Sequence, residues 1–257
     1  MRQFGPMAAL CVVFSGVLWA ADFWQQKEYT AWSQKDCEQM LTKSPWAYQY
    51  DHTNFYRPAT NIANSNAGGN ATLTEGQTNA SLEPQQGERE TRIIFQFILA
   101  TAKPIRMARA QIGMLQSPDM KAQAEQFVNQ PVGKEILIQV QYTSRPPGIS
   151  AIHDIQNFFR RATINDFQGN TFLTSSDSKQ PIHISRYEQP NEKTPFGLFV
   201  FPRFDESGKP YFTGKEKSIT LRSDLKIPIA QRGGRENYSI FVKMDPKKMT
   251  FQNEFSM

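Results

Sequence analysis

The chain has 257 residues, 21% of them charged and 12% aromatic, with a formal net charge of +5 and an isoelectric point near 9.1. Its basic residues are spread among acids and group no further than the pairs Arg160-Arg161 and Lys247-Lys248, which argues for a solvated mixed surface and against nucleic acid as a partner. Cys11 and Cys37 are too few for a disulfide-stapled scaffold, and no internal repeat marks a solenoid or propeller.

Arg2 precedes an uncharged apolar run from Met7 to Ala21 that Asp22 ends, the n-region and h-region order of a signal peptide. The run of about 15 residues falls short of the roughly 20 that an α-helix needs to cross a hydrocarbon core of about 30 Å, which disfavours a permanent membrane span. An uncleaved anchor and a buried helix are the alternatives. Ala20 and Ala21 suit the cleavage zone, whereas Leu18 and Trp19 are bulky for it. A lipidation signal at Cys11 is rejected because Leu10, not a small residue, precedes it. Residues 1–21 are therefore read as a signal peptide and the protein as exported, periplasmic or secreted. Removing them leaves Cys37 without an intrachain partner, as a small apolar residue on a helix.

Residues 22–50 read as an N-terminal helix and an extended segment. Ser33 is a good N-cap with Asp36 three residues on, Cys37, Met40 and Leu41 make one stripe, and Pro45 stops the helix near Ser44. Trp32 and Trp46 bracket it. Residues 51–90 turn to Asn, Thr, Gly, Gln and Ser without a period, the composition of a flexible low-complexity linker. Asn70 and Asn79 stand in N-glycosylation patterns, which matter only in a eukaryotic secretory pathway.

Residues 91–257 read as a mixed α/β globular domain. Arg92 to Ala100 is a strand covered on both faces. A helix from Lys103-Pro104 carries Ile105, Ala108, Ile112 and Leu115 on one side, and a second helix, capped by Ser117, buries Met120, Ala124, Phe127 and Val128. Glu135 to Tyr142 is a strand, and a third helix carries Ile152, Ile155, Phe159 and Ala162. From about residue 170 the period becomes two: Thr171 to Leu173, Ile182 to Tyr187, Gly197 to Phe201, Ile219 to Arg222, Tyr238 to Lys243 and Met249 to Phe255 read as an antiparallel sheet, sandwich or partial barrel. The fold class is α+β, a strand-helix-helix-strand-helix segment followed by a β-rich part.

Chemistry is sparse. His52, His153 and His183 stand in unlike contexts, and no metal-ligand spacing, nucleophile elbow or phosphate loop occurs, so no metal, cofactor or catalytic residue is assigned. His153-Asp154 is an acid and base pair at adjacent helix positions, where side chains point apart. The distinctive polar residues are arginines in apolar context: Arg106 and Arg109 on the first central helix and Arg203 in Phe201-Pro202-Arg203-Phe204. Each could bind an acidic ligand or partner through its forked donors, or serve as an internal ion pair or a packed stem.

The stretch Trp32 to Trp46 (Trp-Ser-Gln-Lys-Asp-Cys-Glu-Gln-Met-Leu-Thr-Lys-Ser-Pro-Trp), with Phe201-Pro202-Arg203 and Lys247-Lys248-Met249-Thr250-Phe251, resembles uncharacterised exported bacterial proteins. That resemblance implies an envelope setting and carries over no catalytic residue. The expectation is a structural or binding module of the bacterial envelope or exterior with a partner not identified from sequence, more than an enzyme. The alternative is an extracytoplasmic hydrolase without a recognisable motif.

Overall fold

A computed structural model describes residues 23–56, 89–178, 180–192, 194–230 and 233–257. The expected signal peptide, Asn70, Asn79 and most of the expected linker lie outside these residues. In chain order the larger elements are α1 (Phe23–Gln26), α2 (Gln34–Lys43), β1 (Ala47–Tyr56), β2 (Arg89–Leu99), α3 (Lys103–Gln116), α4 (Lys121–Asn129), β3 (Glu135–Arg145) and α5 (Ser150–Arg161). There follow β4 (Thr171–Ser175), β5 (Ile182–His183), β6 (Arg186–Glu188), β7 (Gly197–Pro202), β8 (Ile219–Pro228), β9 (Arg235–Met244), β10 (Thr250–Phe251) and β11 (Glu254–Phe255). The fold is α+β with antiparallel sheets and a β-rich C-terminal region.

Helix α2 begins as its sequence dictates. Ser33 Oγ accepts from the Asp36 N–H at 3.2 Å, and Asp36 Oδ2 accepts from the Ser33 N–H at 3.0 Å, so a reciprocal pair satisfies two donors that the helix start leaves open. The Ser33 backbone bond is also the main reason the Asp36 carboxyl lies below its ordinary range. Strand structure reaches into both ends of the 51–90 stretch, through β1 and the start of β2.

A five-stranded sheet has the order β1-β2-β3-β7-β6, and a four-stranded sheet the order β5-β4-β8-β9. The strand from Gly197 thus lies between β3 and β6 in the first sheet, apart from β4, β5, β8 and β9. The single strand expected over Ile182 to Tyr187 is two pieces in different sheets. The exchange occurs where the Ile184 N–H donates to Thr171 O at 3.2 Å and the Ser185 N–H donates to Val200 O at 2.8 Å. The run from Met249 to Phe255 is the β10–β11 hairpin, turned by Gln252 and Asn253 at positive φ.

The sheets pack face to face, with Phe95 of β2 against Tyr238 of β9 at 5.3 Å between ring centroids. Between them α5 inserts Ile152, Ile155 and Phe159, all buried. Phe159 stacks on Tyr142 at 5.1 Å, Phe167 meets Phe199 at 5.0 Å, and the Tyr187 hydroxyl donates to Phe159 O at 2.8 Å. Trp32, Cys37, Met40 and Trp46 join the same core as the residues after 91. Trp46 is fully buried, and its Nε1–H donates to Ser256 O at 2.5 Å.

Two expected helix faces are shorter than the sequence period suggests. Leu115 is 51% exposed because burial along α3 fades after Gln111, through half-buried Ile112 and Met114. Met120 is exposed because Pro118–Met120 is a 3₁₀ turn, whose three-residue period puts it out of phase with Ala124 and Val128. Ser117 makes no side-chain cap there.

Candidate functional site

The outer face of the five-stranded sheet carries α2 and α3, and between helices and sheet runs a groove of about 300 Å³. Its floor is set by strand register. Gln49, Gln96 and Gln141 are cross-strand partners on β1, β2 and β3, and one step along Ile98 pairs with Gln139, so these side chains share one face. Gln96 spends its amide on α2, donating through Nε2 to Leu41 O at 2.9 Å. Leu41 and Glu38 of α2 form one wall, Arg109 of α3 and Phe196 ahead of β7 the other.

Arg109 is the charged group at the centre. Its Nη2 donates to Gln139 Oε1, and its guanidinium carbon lies 5.5 Å from the Phe196 ring centroid, within range for a cation–π contact. Burial alone pulls the guanidinium down to about 10, so the cation persists at neutral pH while being poorly solvated. Among the described residues no carboxylate lies within 4.0 Å of it. A neutral amide and a ring therefore stand where a counter-ion would. A desolvated cation in that setting gains from any carboxylate that can reach it, and its fork suits two parallel hydrogen bonds.

The other arginines are placed differently. Arg106, three residues before Arg109, is buried. Its Nη1 donates to Gln130 O at 2.7 Å and Phe127 O at 3.4 Å, which sets a cation against the C-terminal carbonyls of α4. Among the described residues its Nε has no partner. Arg203 donates through Nε to Gly133 O at 3.1 Å and through Nη2 to Met257 O at 2.6 Å and Glu135 O at 3.2 Å. Burial and then Arg106 lower its guanidinium, so these two cations are neighbours over the 130–135 connection. Both are spent on backbone carbonyls, and Arg109 alone of the three lines the groove.

Gln141 also lines a wider cleft of about 770 Å³ with Tyr142, Gln156, Arg160 and Glu192. It lies where β3 runs on past its last β7 partner, Val140 opposite Gly197. The histidines remain apart: His52 Nε2 lies 3.6 Å from Glu236, His183 Nδ1 lies 3.1 Å from Gln168 O, and His153 is exposed. Asp154 accepts from the Ala230 N–H at 3.3 Å. Among the described residues no group of three His, Cys, Asp or Glu is placed to hold a metal ion, and no helix is long and apolar enough to cross a membrane. Cys37 is buried, and burial pushes its thiol up to about 11, which keeps it protonated and poorly nucleophilic at neutral pH.

Sequence reasoning did not single out Gln96, Gln139, Gln141, Glu38 or Phe196. The available signal was Gln-Val-Gln at 139–141, polar residues at alternate positions in a stretch, Ile136 to Tyr142, that is otherwise apolar or aromatic on both faces. Comparison with known proteins gave no match: no family model matches the chain, and neither a curated protein nor a solved structure does.

Proposed function

We propose that the chain is an exported binding module that receives an acidic group, such as a carboxylate at the end of a peptide or small molecule, in the groove between α2, α3 and the five-stranded sheet. Arg109 carries this reading: a desolvated guanidinium, held over Phe196 and bonded to a neutral amide, with no described carboxylate in ion-pair range. Gln139 and Gln141 add amide groups beside it, and Ile98 and Leu41 supply apolar wall. This is the composition of a recognition pocket, a few convergent polar groups in an apolar setting. Export rests on the apolar run from Met7 to Ala21 and on the resemblance given above.

The binding claim is tested by titrating succinate or N-acetylglutamate into labelled protein and following the Arg109 Nε–H resonance. A saturable shift that also moves Gln139 and Gln141, and that Arg109→Gln weakens at least tenfold, is expected. The same titration curve in wild type and variant would sink it. Export is tested by sequencing the N-terminus of protein made in a bacterial host, which should begin near Ala21 or Asp22.

A further inference from the structure

The outer face of the four-stranded sheet lies open to solvent. Along β8, Ile219, Leu221, Ser223, Leu225 and Ile227 are buried while Arg222, Asp224 and Lys226 are exposed. Along β9, Asn237, Ser239, Phe241 and Lys243 point outward in the same alternation. Register draws one row straight across all four strands: His183 opposite Phe172, Phe172 opposite Arg222, and Arg222 opposite Phe241.

Two neighbouring pairs of this row touch. The His183 and Phe172 rings are 5.7 Å apart, and the Arg222 guanidinium carbon is 5.3 Å from the Phe241 ring centroid. Phe241 is 51% exposed and Phe172 half-buried, two apolar rings on a face whose other outward residues are mostly polar. Around the row stand the cations Arg222, Lys226, Arg235 and Lys243 against the carboxylate of Asp224, and among the described residues none of these cations is ion-paired. At one end Lys226 and Arg235 join Arg161 around a cleft of about 320 Å³. The acids there are engaged: Asp154 accepts from the Ala230 N–H, and Asp166 accepts from the Thr163 N–H at 2.8 Å and its hydroxyl at 3.2 Å.

We propose that this face binds a linear, carboxylate-bearing polysaccharide, independently of the Arg109 groove. An open row that crosses the sheet from edge to edge suits a chain lying over it better than a small molecule. Neighbouring strands are about 4.8 Å apart, so Phe172 and Phe241 are separated by roughly 10 Å with a guanidinium between them. That spacing fits an extended sugar polymer in which alternate rings lay their C–H faces on the phenyl rings and the carboxylate of the intervening ring meets Arg222. Consecutive nucleotide bases are set closer than this, and a membrane surface would find no apolar wedge beyond the two rings of the row. The excess of cations supplies the long-range attraction and makes binding salt-sensitive.

The test is retention of the full chain by polygalacturonate, alginate and hyaluronate in affinity electrophoresis, with dextran, oligo(dT) and phosphatidylglycerol vesicles as alternatives. Wild type is compared with Phe241→Ala, Arg222→Gln and Arg109→Gln, each checked for an unchanged melting temperature. Expected is retention by at least one acidic glycan, reduced about tenfold by Phe241→Ala and by Arg222→Gln, unchanged by Arg109→Gln, and absent on dextran. No retention by any acidic glycan, equal retention of wild type and both face variants, or tighter binding to oligo(dT) or to the vesicles would overturn it. Because Arg109→Gln reads the groove alone, failure of the groove assignment and failure of this one are separable.

Discussion

On β2 and β3 both faces are covered, so Gln96, Gln139 and Gln141 lie beneath α2 and α3, whereas on β8 and β9 alternate residues reach solvent and Phe241 stands among lysines and arginines. Each sheet thus carries residues of the type its surroundings disfavour. A buried amide is costly without hydrogen bonds, and an exposed ring leaves apolar surface in water. Such residues mark the groove on one side of the molecule and the open row on the other. Residues that agree with their surroundings, such as Phe199 or Leu221, report packing alone.

That contrast predicts unequal responses to substitution. The largest belongs to the covered side: Trp46→Ala removes a fully buried indole and its bond to Ser256 O and should cost about 3–5 kcal/mol in urea unfolding. Next comes the pair on α3. Arg106→Ala removes a buried side chain and its bonds to the Phe127 and Gln130 carbonyls at the end of α4, and should cost about 1–3 kcal/mol. Arg109→Ala should cost less than Arg106→Ala in the same assay while abolishing carboxylate binding, because it removes a desolvated cation bonded to a neutral amide. Reversal of that order would place Arg109 in the scaffold. The smallest effect is expected on the open face, where Phe241→Thr should change stability by no more than about 0.5 kcal/mol. A large loss there would show that the row is packing.

Much of this frame was legible in the sequence because periodicity reports burial. The stripe Ile152, Ile155, Phe159 and the strand from Arg92 to Ala100 are written in local order, as is the Ser33 and Asp36 cap. Partnership between strands was not legible. Gly197 to Phe201 has the composition of a central strand wherever it pairs, and only the exchange at Ile184 and Ser185 sends it to β3. The arginines show the same limit at the site. Arg106, Arg109 and Arg203 look alike in sequence, and what separates them is which carbonyls, amides or rings the tertiary fold brings within reach. The row His183, Phe172, Arg222, Phe241 lies on four strands and has no linear signature.

The short segment from Met249 to Met257 works as a clasp. Ser256 accepts from Trp46 through its carbonyl and from the Lys103 N–H through its hydroxyl at 2.9 Å, bonds that span 210 and 153 residues of chain, and Met257 O receives Arg203. Contacts of such range slow the search for the native state, since the loops they close must be ordered before the contacts repay it. They also fix an order of events. The ribosome makes Trp46, Lys103 and Arg203 well before Ser256, so during synthesis these groups wait without their last partner. A nascent chain lacking its clasp therefore stays incompletely locked until Ser256 and Met257 have been made.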